Sequence, residues 1–309
     1  MTVTFKVTVT SVNMKLSVII CTRNRFDDFT KTLPSIAAQT RLPDELVVVD
    51  SSDEKKLETH LEAVQTPFPI HYFHTAPGLT LQRNHGIRES VGDLLFFFDD
   101  DVDLDANYLA EVESVFANDV KKTIGAVGGK IVNSPPQTVR LKFETFLFGL
   151  IRMIFGVVGT RNGKFYPSGM PSHPRPYQPS GFIECLSGCC MAFRREVFEK
   201  AIFDENLARY GLMEDVDISK QTMDAGYKIW YQTSATLVHN ESTMNRLNIQ
   251  QWAEMSVVNY DYLFRKSWAR DAWRWLFYYW ALLGLFVVNF HSLKGLKGTF
   301  NGVKKVFGK

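Results

Sequence analysis

Short apolar runs that alternate with amphipathic stretches constrain the fold of the first half of this chain most strongly. Five runs rich in Val, Ile, Leu and Phe occupy residues 15–22, 45–50, 69–73, 93–98 and 123–129. Helical patterns lie between them at 29–39, 54–65, 79–90 and 107–118. Continuous apolar strands separated by helices are typical of a parallel sheet covered on both faces. We therefore predict an α/β fold with a doubly wound, mostly parallel sheet and flanking helices.

The charge distribution divides the chain into an acidic body and a basic tail. The 309 residues carry a net charge of +2, but residues 265–309 contain nine Lys or Arg and one acid, Asp271. That tail therefore carries +8, and residues 1–264 carry −6. An acidic main body argues against binding to nucleic acid, whereas a basic tail favours contact with anionic lipid.

Composition and hydropathy pattern divide the chain into three segments. We expect an N-terminal extension at 1–14, an α/β domain at 15–245 with a donor half (15–130) and an acceptor half (131–245), and a helical tail at 246–309. The extension alternates with period two and lacks the apolar run of a signal peptide. Met14 is an alternative start, and the preceding segment could equally be an added edge strand. Residues 159–182, rich in Gly, Pro and Ser, predict a long loop.

The cysteine content favours a reducing compartment. We predict a cytoplasmic protein with free thiols. Cys185, Cys189 and Cys190 cluster in sequence but lack the paired short spacings of a zinc site.

Three consecutive aspartates follow the apolar run "LLFFF" directly. Ligands of such sheets bind beyond the carboxyl ends of the strands, which is where Asp99, Asp100 and Asp101 begin. Oxygen-rich clusters suit Mg²⁺ or Mn²⁺. Asp103 and Asp105 precede a helical pattern and are better explained as helix N-terminal caps. The triplet therefore predicts a divalent metal site.

Five longer motifs identify a resemblance over about residues 15–240. They are "SVIICTRNR", "ELVVVDSSD", "LTLQRNHGIRESVGDLLFFFDDDVDLDANYL", "LSGCCMAFRREVFEKAIFDENL" and "EDVDISKQTMDAGYKIWY". Their order and spacing resemble those of the family 2 glycosyltransferases with the GT-A fold. The resemblance implies an inverting, metal-dependent, hexosyltransferase-type enzyme that moves a sugar from a nucleotide-diphosphate donor to a hydroxyl acceptor. The expected setting is synthesis of bacterial-type cell-surface polysaccharide or glycolipid.

The resemblance also assigns donor-side residues. The triplet matches the family's DxD-type motif, with Asp101 as the most direct metal ligand and Asp99 and Asp100 toward the ribose and around the metal. Ser51 stands where the family often has a second acid, so the donor base stays open. The full set of implied donor-binding residues is Thr22, Arg23, Asn24, Arg25, Asp50, Ser51, Arg83, Asp99 and Asp100.

The second half supplies the implied catalytic and acceptor residues. "GLMEDVDIS" begins a predicted helix, where any single acid could serve as a cap. The resemblance makes Asp215 the general base and Glu214 the second candidate, and we expect Asp217 to be structural. His239 is a candidate ligand of the metal or diphosphate, against the alternative of a rim histidine. Ser187 and Gly188, in "LSGC", are expected on the acceptor side. Arg194 and Arg195 are expected to be solvated, with a phosphate contact as the alternative.

The tail combines an apolar stretch with aromatic and basic residues. Residues 276–288 are a run of thirteen residues without a charge, whereas a helix that crosses a bilayer needs about twenty apolar residues. Trp and Tyr residues here are typical of a membrane interface. We expect the tail to lie on the inner face of the cell membrane, with a homodimer interface or a true span as alternatives. Residues 143–159 are a second apolar stretch. A lipid-linked saccharide would then be a suitable acceptor.

Two other functions remain open at this point. A nucleotidyltransferase would also place carboxylates and a metal on such a sheet, but "CTRNRFDD" lacks the glycine of a phosphate loop. A non-catalytic nucleotide-sugar-binding membrane protein would bind donor and metal without turnover.

Overall fold

The computed structural model describes residues 14–132, 153–156, 161–207, 210–242, 247–290 and 292–308. Residues 1–13 of the predicted N-terminal extension and most of the apolar stretch at 143–159 lie outside these residues, whereas Met14 is described and buried.

Within the described residues, nine strands form one sheet. They are β1 (Leu16–Thr22), β2 (Glu45–Asp50), β3 (Ile70–His74), β4 (Leu94–Phe98), β5 (Val102–Leu104), β6 (Ile124–Ile131), β7 (Gly181–Ile183), β8 (Cys190–Arg194) and β9 (Lys228–His239). The order is β3-β2-β1-β4-β8-β6-β9-β5, with β7 also paired to β9. The first four strands in this order run parallel, and β6 and β9 are parallel to each other. The predicted mostly parallel α/β sheet is confirmed.

Side chains of the central strands alternate between two buried layers. On β1, Val18 and Ile20 face one core cluster and Ile19 faces the other. Helices α1 (Phe26–Ala37), α2 (Lys56–Ala63), α3 (Leu79–Glu89) and α4 (Tyr108–Asn118) connect the strands of this half. Because strands buried on both faces must be apolar at every position, the runs read from the sequence coincide with the strands to within one or two residues.

Two expectations for polar residues in this region are wrong. Asp103 lies within the short strand β5 and Asp105 accepts the N–H of Asn107, so neither caps the first turn of α4. Arg194 and Arg195 are not solvated, and their guanidinium groups bind backbone carbonyls instead of a phosphate. Arg194 is 4% exposed and its guanidinium donates to the carbonyls of Ile124 and Phe116. Arg195 donates to the carbonyls of 87, 90 and 92.

The remaining helices are α5 (Glu214–Asp224), α6 (Ile249–Ser267), α7 (Arg274–Asn289) and α8 (Leu293–Phe307). A third core cluster joins α6 and α7 to the start of α5 and to the loop that contains Phe165 and Met170. This loop is part of the one predicted at 159–182, and of its described residues only 181 and 182 lie in a strand of the sheet. No helix among the described residues is both long enough and apolar enough to cross a bilayer.

Candidate active site

The carboxyl ends of β1 and β4 bring the predicted nucleotide loop against the aspartates. These strands are parallel neighbours, so Thr22 at the end of β1 lies beside the residues that follow Phe98. The hydroxyl of Thr22 donates to Asp100 Oδ2 at 2.6 Å, and Arg25 Nη1 donates to Asp100 Oδ1 at 2.9 Å. Asp100 is 3% exposed. Two donors from the first loop thus hold the middle aspartate in place.

The outer aspartates converge on a histidine from a distant strand. Because β5 pairs antiparallel with β9, Val102 lies opposite His239. His239 Nε2 then lies 3.0 Å from Asp101 Oδ1 and 3.7 Å from Asp99 Oδ2. The ligand atoms of the three residues all lie within 4.8 Å of one another. Two carboxylates and one imidazole in this arrangement are a donor set suited to a first-row divalent cation.

Burial and neighbouring charged or polar groups have opposite effects on the pKa values of this cluster. Burial raises the pKa of Asp100 to about 7, although Arg25 and Thr22 favour its ionised form. Burial by itself would lower the pKa of His239, but its contacts with Asp101 and Cys189 raise it to about 11. These contacts favour the protonated form of His239. Metal ligation needs the neutral imidazole, so binding of a cation there releases a proton.

Arg83 connects the aspartates to the second group of acids. It lies on α3 and is 2% exposed. Its guanidinium contacts Glu214 Oε1 at 2.5 Å, Asp99 Oδ1 at 3.5 Å and the carbonyl of Gly188 at 2.9 Å. The side chain predicted to lie near donor phosphates thus acts in this state as a buried bridge between the two acidic groups.

The start of α5 presents its three acids in different directions. Met213, with φ of 72°, precedes the helix and turns the chain sharply before Glu214. Glu214 points to Arg83, and burial raises its pKa while the guanidinium opposes that rise. Asp215 Oδ2 accepts the N–H of Gly188 at 3.2 Å. Asp217, 1% exposed, pairs with Lys266 of α6 at 2.9 Å. Asp217 thus contacts the tail rather than a cavity, in keeping with the structural role expected for it.

A cavity of about 490 Å³ lies between these groups. Its lining includes most of the predicted donor loop and both candidate bases: Thr22, Arg23, Arg25, Asp99, Asp100, Gly188, Glu214 and Asp215. A second cavity of about 640 Å³ lies beside it, and Leu212, Met213 and Asp215 line both. Asp215 is therefore in the wall that the two cavities share.

Other predicted donor residues lie at the edge of this region. Arg23 is exposed and lies 3.6 Å from Asp53, while Asn24 exchanges hydrogen bonds with Asp53 and Ser52. Asp50 and Ser51 are buried and line neither cavity. Asp50 accepts hydrogen bonds from Ser52 and from the hydroxyl of Tyr72 in the neighbouring strand β3. Ser52 and Asp53, which follow them, line an adjoining cavity of about 760 Å³.

The backbone of Gly188 lies close to the Glu214 side chain. A Cβ at this position would lie 2.7 Å from Glu214 Oε1. Glycine therefore lets the loop backbone contact both Asp215 and Arg83. Ser187 faces a different, smaller cavity of about 210 Å³, lined by residues of β6 and by Pro174 and Pro176. The structure thus separates the two residues that were expected together on the acceptor side.

Several residues that support the site have no recognisable signal in the sequence. Gln82 donates to the carbonyls of Thr22 and Val49 and so braces the ends of two strands. Lys266 anchors Asp217, and His173 Nε2 lies 4.0 Å from Asp215 Oδ2. Polar residues in helices and loops have no periodic signature, and only the tertiary structure shows what they contact.

Comparison with known proteins identifies the family of this chain. The family model described as Glycosyl transferase family 2 matches residues 17–202. The glucosyl-dolichyl phosphate glucuronosyltransferase of Haloferax volcanii is 26% identical over 237 residues, which cover 74% of this chain and 67% of that protein.

Solved structures share the fold. The structure of GalNAc-T7 with UDP, GalNAc and Mn²⁺ superposes with a TM-score of 0.58 at 18% identity over 81% of this chain, although that match spans only 50% of the other chain. The mannosyltransferase PcManGT of Pyrobaculum calidifontis, in complex with GDP-Man and Mn²⁺, superposes with a TM-score of 0.52 at 18% identity over 97% of this chain and 77% of that one. The prediction made from the motifs is confirmed, and this chain belongs to glycosyl transferase family 2, a family of enzymes that transfer sugars.

Proposed function

We propose that this protein is a metal-dependent inverting glycosyltransferase that moves a sugar from a nucleotide-diphosphate donor to a hydroxyl of its acceptor. One observation carries the proposal: Asp99, from the candidate metal cluster, and Asp215, the candidate base, line the same cavity. Single displacement needs both groups beside one sugar, with the base on the acceptor side.

Asp99, Asp101 and His239 are the residues that would hold Mn²⁺ or Mg²⁺. Their two carboxylates and imidazole fit such an ion, and both structural relatives named above contain Mn²⁺. The ion would supply positive charge to the diphosphate as it leaves. Arg25, whose guanidinium contacts Asp100 at the edge of the same cavity, adds a fixed cation on the donor side.

Asp215 is the proposed base. The acceptor oxygen attacks the anomeric carbon, the bond from that carbon to the diphosphate breaks, and the hydroxyl proton passes to the carboxylate of Asp215. The N–H of Gly188 fixes the orientation of Oδ2. Glu214 is less suited, because its carboxylate is already paired with Arg83.

Thermal-shift measurements test the donor assignment. UDP, GDP and dTDP, each with Mn²⁺, Mg²⁺ or a chelator, should separate into stabilising and neutral nucleotides, since binding to the folded state raises the melting temperature. At least one nucleotide should stabilise the protein, and only with metal. Stabilisation by none of them, or equal stabilisation with chelator, would contradict the proposal.

The tail is proposed to contact an anionic membrane surface, so that the enzyme acts from the inner face of the membrane on a lipid-linked acceptor. A row of large apolar residues on α7 is exposed, including Leu276 at 73% and Tyr279 at 53%. Helix α8 adds two exposed aromatic residues and four lysines: Phe300, Phe307, Lys294, Lys297, Lys304 and Lys305. Aromatic side chains beside lysines are the composition of an interfacial helix. We retain the division into an α/β domain at 15–245 and a tail at 246–309.

Vesicle co-sedimentation tests this contact. Vesicles with anionic lipid should retain the protein at low salt and release it as salt screens the lysines, while neutral vesicles should retain less. Equal retention by both would contradict an electrostatic contribution. A self-association that buries α7 instead would appear as a dimer in solution with no affinity for vesicles.

A further inference from the structure

The second cavity is built by the loop at 170–175, the start of α5 and two tail helices. It has a volume of about 640 Å³, within the range of about 300–1,000 Å³ usual for small-molecule sites. Helices α6 and α7 supply Trp252, Leu285 and Val288, and the start of α5 supplies Leu212 and Val216. Polar side chains, among them Ser256 and Asn289, line the same cavity, so its wall is suited to a ligand that has both apolar and polar parts.

The loop adds basic and polar groups to the same cavity. Arg175 and His173 line it, and the Nε2 atom of His173 lies 4.0 Å from Asp215 Oδ2. Hydrogen bonds hold the loop in place, because His173 Nδ1 contacts the carbonyl of Leu186 at 2.9 Å and the hydroxyl of Tyr231 donates to the carbonyl of Arg175. A guanidinium beside apolar side chains is suited to a phosphate oxygen of an amphiphile.

The position of Asp215 relates this cavity to the donor cavity. Its carboxylate is in the shared wall, so a hydroxyl that reaches it from the second cavity would face a sugar held in the first. We propose that the second cavity binds the acceptor, and that the acceptor is an amphiphile in which a phosphate joins the saccharide to a hydrocarbon chain. Arg175 would contact the phosphate, and Trp252, Leu285 and Val288 would contact the first part of the chain. This assignment rests on the proposed function, since it takes Asp215 as the base.

The walls of the cavity also explain the place of the tail in the fold. Asn259 of α6 donates to the carbonyl of Leu212, and Tyr260 donates to the carbonyl of Ser168 at 2.9 Å. Both contacts fix backbone that borders the cavity. On α7, Leu285 and Val288 are buried at 5% and 7%, while Leu283 on the other face is 49% exposed. One helix therefore supplies both a wall of the cavity and part of the surface proposed to meet lipid.

Calorimetric titration of the full chain with three probes tests the assignment. The probes are dodecyl phosphate below its micelle concentration, dodecyl glucoside, and inorganic phosphate. Dodecyl phosphate should bind most tightly. Arg175→Gln should weaken its binding about tenfold and remove its advantage over dodecyl glucoside, because a charge-assisted contact is lost. Trp252→Ala should weaken both amphiphiles about fivefold through loss of apolar contact.

Matched controls separate these effects from general damage. Arg88→Gln removes an exposed arginine of α3 that lines neither cavity, and Ile249→Ala removes an exposed apolar side chain from α6; both should leave all three affinities unchanged. Absence of dodecyl phosphate binding, inorganic phosphate binding as tightly as dodecyl phosphate, or an Arg175→Gln variant with unaltered affinity would each overturn the assignment.

Titration of the same samples with nucleotide and Mn²⁺ distinguishes the two proposals. If nucleotide binds with metal but dodecyl phosphate does not, the acceptor assignment fails and the donor site stands. If dodecyl phosphate binds as expected while no nucleotide does, the proposed glycosyl transfer fails and the amphiphile site stands.

Discussion

Two groups of three acids lie near the donor cavity, and two acids of each group line it: Asp99, Asp100, Glu214 and Asp215. The side chains of the two groups are arranged in opposite ways. Asp99 and Asp101, after β4, converge on His239, and Asp100 between them is held by Thr22 and Arg25. The acids of α5 diverge. Glu214 turns to a buried arginine, Asp215 to the cavities and Asp217 to a lysine of the tail.

The backbone explains the difference. Successive residues of a helix point about 100° apart, so three acids in its first turn face three different surroundings. Residues at a strand end have no such rotation imposed on them. Strand β1, which pairs with β4, and strand β9, which pairs with β5, bring polar and basic partners to the aspartates between β4 and β5. The converging acids after β4 can share one cation. The diverging acids of α5 each have a separate partner, so a mutation of one acid tests one role.

The largest effect is expected at Asp215. Asp215→Asn should lower kcat about 10²–10⁴-fold, since it removes a general base, while nucleotide binding with Mn²⁺ remains. Steady-state transfer assays and nucleotide titration measure the two quantities. Asp224→Asn, an exposed acid at the other end of α5, is the control and should have little effect. Turnover at the wild-type rate would exclude Asp215 as the base.

Arg83→Met should reduce stability most among these variants. It leaves the Glu214 carboxylate buried without its partner, which costs about 3–5 kcal/mol of unfolding free energy. Adding Glu214→Gln should restore much of this loss. Chemical denaturation of the single and double variants measures both changes.

The same variant should lose further stability relative to the wild type at alkaline pH. Burial raises the folded-state pKa of Glu214 from 4.5 to about 8 even with the guanidinium present, and loss of the guanidinium should raise that pKa further. Between these two folded-state pKa values the variant binds more protons than the wild type, so its unfolding free energy falls further as pH rises above about 8. Equal losses of stability at about pH 7 and about pH 10 would contradict this view of Glu214.

Asp101→Asn should weaken metal binding rather than catalysis at saturating metal. Loss of one carboxylate ligand should lower the apparent affinity for Mn²⁺ at least about tenfold, as even outer-shell changes have effects of that size. Titration of Mn²⁺ into the nucleotide-stabilised protein measures this apparent affinity. Asp103→Asn, on the exposed face of β5, should bind Mn²⁺ as the wild type does. Equal behaviour of the two variants would remove the metal assignment.

Lys266→Met should have the smallest effect of the four. It unpairs Asp217, but the lysine side chain is 30% exposed, so water and salt already weaken the pair. A loss of about 1–2 kcal/mol is expected, half or less of that for Arg83→Met. Lys305→Met breaks an exposed pair with Glu254 and should cost less than 1 kcal/mol. A loss of unfolding free energy equal to that of Arg83→Met would mean that the unpaired Asp217 destabilises the fold as much as the unpaired Glu214 does.

Much of the donor half could be predicted from the sequence. The apolar runs located five strands to within two residues, and the edge of the sheet located the aspartates, because burial on both faces and the end of a strand are local properties of the chain. The helix that begins at Glu214 could also be predicted, because the acids in its first turn are a local signal of a helix start.

Contacts between distant residues could not be predicted. Nothing in the pattern around Arg83 indicates a pair with Glu214, and nothing around Lys266 indicates Asp217, since each pair joins segments that meet only in the folded chain. The expected solvation of Arg194 and Arg195 was wrong because buried carbonyls at the ends of other elements accept their hydrogen bonds.

The order of residues alone was sufficient for the family, the sheet and the two groups of acids, since each depends on side chains that are neighbours in the chain. Which acids converge, which one faces both cavities, and how the tail helices close the second cavity depended on packing between segments far apart in sequence. Such packing is decided by the whole molecule, because each buried charge needs a partner that local sequence does not supply.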